Sequence, residues 1–192
     1  MKTMNIYLCG VGGQGIGMLS DVLALACRQA GYKIKGCDTH GLAQRHGTVV
    51  SHLRIGDRLY VPRVPTGEAD IVVGLERLEA LRAAVGMLKE SGSLVYYDSV
   101  YQPIHVRMGV EAYPTAEKLE QVARDKQLNL HRVYLENLTD PRMQNVALLG
   151  SLASLEVVPN VTTEVVESAL RQKLPKKILE MNLTVFRQAL QS

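Results

Sequence analysis

The segment that most constrains this chain is Gly10-Val11-Gly12-Gly13-Gln14-Gly15, a glycine cluster set between two different hydrophobic periodicities. Before it, Asn5 to Cys9 is a short apolar run of the kind that forms a buried strand. After it, from Gln14 to Ala30, Leu19, Val22, Leu23 and Ala26 recur at helical spacing. Glycines at such a junction let the chain turn tightly and let an anion approach the N–H groups of a helix N-terminus. Asp38 lies near the position of a ribose-binding acid, so the segment fits a dinucleotide fingerprint. A glycine turn kept only for strand–helix packing, with no ligand, fits the same residues. Gln14 is polar, can reach an amide or carboxylate, and is not needed for dinucleotide binding.

The rest of the chain continues the alternation. Strands are expected at Tyr32–Cys37, Thr48–Ile55, Asp70–Gly74, Ser93–Tyr97 and His131–Leu135. Gly56-Asp57 is a candidate turn into a short hairpin strand at Leu59–Val61, ended by Pro62. Helices are expected at Glu76–Glu90, Thr115–Lys126, Met143–Leu155, Thr163–Gln172 and Lys176–Gln191. Thr115 and Thr162 or Thr163 are natural N-caps, and Pro175 opens the last helix where its missing N–H costs nothing. Strands alternating with helices imply parallel pairing. The fold class is therefore α/β, a Rossmann-like, doubly wound, mainly parallel sheet with a glycine-rich first βα loop and C-terminal helices. Those helices are expected to pack on the sheet or on a partner, and Met143–Leu155, apolar around most of its circumference, must be buried in one of those ways. With 192 residues and no low-complexity linker, residues 1–192 are expected to form one domain.

Composition narrows the functional classes. The formal charge of +3 is spread along the chain, with no basic run interleaved with aromatics, which points away from nucleic acid. No apolar stretch approaches the roughly 18 residues of a membrane span. The glycine loop also follows Met1–Cys9 too soon for a signal peptide, so a cytoplasmic protein is expected. Cys9, Cys27 and Cys37 have no CxxC spacing, so neither an iron–sulfur cluster nor a structural zinc is expected, and the cysteines read as small core residues. His52 alternates with Leu53 on its strand and reads as part of an exposed face; His105 and His131 stand alone.

The most unusual stretch is Thr39-His40-Gly41-Leu42-Ala43-Gln44-Arg45-His46-Gly47-Thr48, a loop between two strands followed by Val49-Val50-Ser51-His52. In open α/β sheets, ligands bind beyond the carboxyl ends of the strands, where this loop should meet the glycine loop. His40, Gln44, Arg45 and His46, set around Gly41 and Gly47, are more polar side chains than a connector needs. GxGGQG joined to this loop resembles the gamma-type domain of 2-oxoacid:ferredoxin oxidoreductases, and the HG-x-AQR form is similar to that of the indolepyruvate enzymes' beta subunits. Asn145–Gly150 and Glu180–Phe186 also resemble that family, so the resemblance covers nearly the whole chain. His46 departs from it, since a small residue is usual there.

The resemblance implies a division of labour. A larger partner subunit would carry thiamine diphosphate and 4Fe-4S clusters, decarboxylate an arylpyruvate such as indolepyruvate, and pass electrons to ferredoxin, with coenzyme A as co-substrate. This chain would bind no cofactor of its own and would complete the active site. It lacks a Gly-Asp-Gly motif with a downstream Asn, as a thiamine-diphosphate subunit would need. The expected site comprises Gly10, Gly12, Gly13, Gln14, Gly15, His40, Gly41, Gln44, Arg45, Gly47 and Thr48, with Arg45 offering a bidentate fork for a carboxylate or phosphate. Asp38 would then be structural, capping its strand or pairing with Arg45. The alternatives are a stand-alone NAD(P)- or flavin-binding oxidoreductase and a nucleotide-binding regulatory module.

Overall fold

A computed structural model of the chain describes residues 3–39, 47–101, 104–110 and 112–191. In chain order the elements are β1 (Met4–Val11), α1 (Ile16–Gln29), β2 (Ile34–Thr39), β3 (Thr48–Ile55), β4 (Ala69–Gly74), α2 (Arg77–Gly86), β5 (Leu88–Tyr97), α3 (Ile104–Arg107), α4 (Ala116–Asp125), β6 (Asn129–Val133), a 3-10 turn (Pro141–Met143), α5 (Gln144–Ser154), α6 (Thr163–Lys173) and α7 (Lys176–Ala189). The strands form one six-stranded sheet in the order β2-β3-β1-β4-β5-β6.

The alternation of strands and helices gives the expected α/β class, with one departure in pairing. β3 runs antiparallel to both of its neighbours, β1 and β2, while β1, β4, β5 and β6 pair in parallel. β3 is thus wedged between β1 and β2, so β2 runs in the same direction as β1 but two places away. The expected hairpin strand at Leu59–Val61 does not form. Both edges of β3 are already occupied, and Pro62 and Pro65 remove N–H groups a further strand would need. Residues 57–68 instead cross beside β3, held by the Arg54 guanidinium donating to the Val61 carbonyl at 3.1 Å.

The helix expected to reach Glu90 stops at Gly86, because Leu88–Glu90 already belong to β5. The strand absorbs Ser91 at φ 57 and Gly92, where a Cβ would lie 2.1 Å from Leu88 Cδ2.

Helices cover both faces. α1, α5, α6 and α7 bury one core with Ile6, Leu8, Val73 and Val95, and α2 and α4 bury the other with Val72, Leu94 and Tyr96. Every residue from Gln144 to Ala153 is buried. α5 is enclosed by the sheet, α1, α6 and α7, so the chain itself covers this all-round apolar helix. Cys9 and Cys27 are buried as core residues and Cys37 is half-buried. Burial holds the Cys27 thiol at a pKa of about 12 and the Cys9 thiol well above its usual value. No helix among the described residues is long and apolar enough to cross a membrane.

Candidate functional site

β1, β2, β4 and β5 point their carboxyl ends to one edge, and β3 begins there. Four features meet at that edge: the glycine loop after β1, Thr39 at the end of β2, Gly47 and Thr48 at the start of β3, and the acids Glu76 and Asp98 beyond β4 and β5. α1 and α2 leave from neighbouring strands to opposite faces, so the switch point of the winding falls between β1 and β4.

Gln14 fills that switch point. Its side chain is 3 % exposed. Its Oε1 accepts from the Val11 N–H at 2.8 Å, and its amide donates to the Leu75 carbonyl at 2.8 Å and to Gln144 Oε1 at 3.3 Å. Ser99 Oγ donates to the same Leu75 carbonyl at 2.9 Å. Both ends of Gln14 therefore bond inside the protein, and its contribution to the edge is to fix the loop. Gly10 is needed beside it, since a Cβ there would lie 2.9 Å from both Gln14 Oε1 and Leu75 Cβ.

The open part of the edge lies on the β3 side. A recess of about 190 Å³ is lined by Val11, Gly12, Gly13, Gly15, Gly17 and Val49, among others. Gly15 caps α1 in the left-handed region, at φ 82, and has no side chain to satisfy the first N–H groups of the helix. No side chain caps those donors, and they lie with the positive end of the helix dipole beside the recess. A Cβ at Gly15 would meet Asn145 Nδ2 at 2.4 Å, so a side chain there must displace Asn145 as well as adopt a left-handed backbone. Gly12 donates its N–H to the Gly47 carbonyl at 2.9 Å, and Val11 stands opposite Thr48. The structure thus brings Gly10, Gly12, Gly13, Gln14, Gly15, Gly47 and Thr48 together. His40, Gly41, Gln44 and Arg45 lie outside the described residues, as does His46; their described neighbours, Thr39 and Gly47, are both at this edge. Asp38 accepts from the Ser51 hydroxyl on the adjacent strand.

Two further groupings lie outside the site expected from the sequence. At the β4–β5 side, Glu76 is fully buried, caps α2 by accepting from the Glu79 N–H at 2.9 Å, and pairs with the Tyr113 hydroxyl. Burial raises its pKa against the opposing pull of the Tyr113 hydrogen bond. Asp98 accepts from Arg77 at 2.6 Å and also pairs with Arg132, so its charge is neutralised twice over. Acids directly after two buried strands were the available signal for both residues. The second grouping surrounds His52. The strand alternation suggested an exposed ring, yet it is 4 % exposed, because residues 62–66 fold over that face of β3. Its Nδ1 accepts from the Val64 N–H at 3.1 Å. Burial and then Arg63 lower its pKa, against the pull of Asp38. No cluster of three or more metal-ligating side chains occurs among the described residues.

A doubly wound α/β sheet with a glycine loop leading into its first helix defines a broad class. The pattern of the pyruvate ferredoxin/flavodoxin oxidoreductase family matches residues 5–192, and the chain belongs to that family. Among curated proteins it is 32 % identical to the indolepyruvate oxidoreductase subunit IorB of Pyrococcus horikoshii, over 97 % of this chain and 94 % of that one. It is 33 % identical to the corresponding subunit of Archaeoglobus fulgidus, over 94 % and 90 %. Among solved structures, the gamma subunit of a keto/oxoacid ferredoxin oxidoreductase from Geobacter sulfurreducens shares the fold at a TM-score of 0.65 and 19 % identity, covering 98 % of this chain and 96 % of that one. The 2-oxoglutarate:ferredoxin oxidoreductase of Magnetococcus marinus, solved with 2-oxoglutarate, coenzyme A and succinyl-CoA, aligns at 0.65 and 18 % identity over 98 % of this chain and 30 % of its own. The resemblance drawn from the glycine loop and the His-Gly-x-Ala-Gln-Arg segment is borne out.

Proposed function

We propose that this chain, folded as one domain, is the small subunit of a cytoplasmic 2-oxoacid:ferredoxin oxidoreductase acting on indolepyruvate or a related arylpyruvate. A larger subunit carries thiamine diphosphate and the iron–sulfur clusters and delivers electrons to ferredoxin; coenzyme A takes the acyl group. This chain contributes surface: the glycine recess and the loop between β2 and β3 cover the partner's active site and exclude water. The open N–H groups of α1 receive an anionic group of substrate or coenzyme A, and Arg45 and His40 supply further donors from the loop. Gln14 positions the glycine loop from below.

The observation that carries this reading is the near full-length match to indolepyruvate oxidoreductase subunits. The mooring of Gly12 to Gly47, which joins the two segments behind the resemblance into one edge, supports it. Dinucleotide binding is disfavoured by the sheet order. With β3 inserted, Asp38 lies about 10 Å, two strand spacings, from β1, where a ribose-binding acid would be one spacing away.

The test is purification of the tagged chain from its native cell without oxygen, followed by a viologen-reduction assay. A larger iron–sulfur subunit should co-purify, with reduction that depends on both indolepyruvate and coenzyme A. A lone chain carrying bound nucleotide would contradict the proposal.

A further inference from the structure

The hollow beside His52 lies over β1 and β3 on the α2 face of the sheet, and the proposed subunit role makes no use of it. It encloses about 380 Å³. Its polar side chains are hydrogen-bond donors: the Tyr7 and Thr66 hydroxyls, the His52 ring, the Arg63 guanidinium, and the Thr39 hydroxyl, which donates to the Val50 carbonyl at 3.2 Å. No carboxylate occurs among the described residues that line it. The nearby acids are engaged elsewhere, Glu79 with Arg82 at 2.7 Å and Asp38 with the Ser51 hydroxyl.

The geometry of His52 sets what it offers. Because Nδ1 accepts from the Val64 N–H, the ring proton of the neutral imidazole resides on Nε2, which is then a donor. Tyr7 packs edge-on against the ring, centroid to centroid 5.0 Å and 82° between planes. Arg63 forms no ion pair with a described residue, and its charge faces two groups that stay neutral at physiological pH. Arg63 is solvent-exposed and lines the hollow, so its guanidinium is free to fold onto an oxyanion seated against the donor-bearing wall. The rest of the wall, including Val50, Val64, Pro65 and Met87, is apolar.

We propose that this hollow is a binding site for a small organic anion. A carboxylate or phosphoryl group is held by Arg63, Tyr7 and His52, and an apolar body lies against Val50 and Met87. The site is separate from the α1 N-terminus and does not depend on the subunit role.

The test is NMR of the isolated full chain with histidine labelled at the ring carbon, His52 being assigned through the H52N variant. Phenylacetate and inorganic phosphate are titrated separately into the wild type, Arg63→Gln, Tyr7→Phe and the exposed control Arg58→Gln. A saturable shift of the His52 signal is expected with at least one probe. Arg63→Gln should weaken it roughly tenfold or more, the scale of one charge-assisted hydrogen bond. Tyr7→Phe, which keeps the ring packed on His52, should weaken it severalfold, and Arg58→Gln should leave it unchanged. A response to phenylacetate assigns a carboxylate and a response to phosphate a phosphoryl group; either supports the site. No saturable shift with either probe, or a shift of equal affinity in Arg63→Gln, overturns it.

Discussion

Two glycines two positions apart, Gly15 capping α1 and Gly17 in its first turn, have opposite requirements. Gly15 stands at φ 82 with Asn145 Nδ2 where its Cβ would be, whereas a Cβ at Gly17 meets nothing within 4 Å. Gly15→Ala should therefore cost about 1–3 kcal/mol, through left-handed strain and overlap. Gly17→Ala, in the first turn of α1, should raise stability by about 0.5–1 kcal/mol. Urea unfolding of the two variants measures both effects. Nearby, His52 predicts a pH dependence. Its pKa is lowered in the folded chain, first by burial and then by Arg63, so the unfolded chain binds the proton more readily. The stability linked to it is present above the unfolded imidazole pKa of about 6.5 and falls as pH drops below that, by up to ~1.4 kcal/mol per pH unit. Unfolding free energies measured on either side of neutrality should show a smaller acid-side loss in His52→Asn than in the wild type. Under the proposed function, Arg45→Ala should lower turnover of the assembled enzyme about tenfold or more while leaving the unfolding midpoint of this chain unchanged.

Among the elements, α5 couples the two halves of its layer. Gly150 lets α7 approach until a Cβ there would lie 2.7 Å from the Phe186 carbonyl and 2.8 Å from Ala189 Cβ. Gly150→Ala should overpack this contact and cost about 1–3 kcal/mol, read as a lower denaturant midpoint with an unchanged slope. The element pattern also bounds what the sequence could convey. The apolar runs and helical spacings marked the strands and helices because burial acts residue by residue along the chain. Thr115 caps α4 as expected, accepting from the Lys118 N–H at 3.3 Å. Strand partners are another matter: Thr48–Ile55 carries the same β-branched signal whether it pairs parallel or antiparallel, so its insertion between β1 and β2 was not legible. The burial of His52 had the same origin, since it depends on residues 62–66 crossing β3, a non-local contact with no local signature. The glycine loop was legible as a turn at a helix N-terminus, but the inward direction of Gln14 follows from Leu75 and Gln144, 61 and 130 residues away.

For the whole molecule, the layered sheet explains how a chain with no metal-ligating cluster among its described residues can serve an oxidoreductase. It presents a candidate edge stiffened by Gln14 at the switch point and by the Gly12–Gly47 bond, and both faces of the sheet carry its own helices. Such a rigid edge is suited to closing a cavity supplied by another subunit, where displacements of an ångström change rates strongly. The most direct measurement is reconstitution. The large subunit is prepared alone without oxygen, this chain is titrated into it, and indolepyruvate- and coenzyme A-dependent viologen reduction is followed. Activity is expected to rise from near zero and to saturate at a fixed ratio of the two chains. Full activity of the large subunit before any of this chain is added would contradict its role in completing the active site.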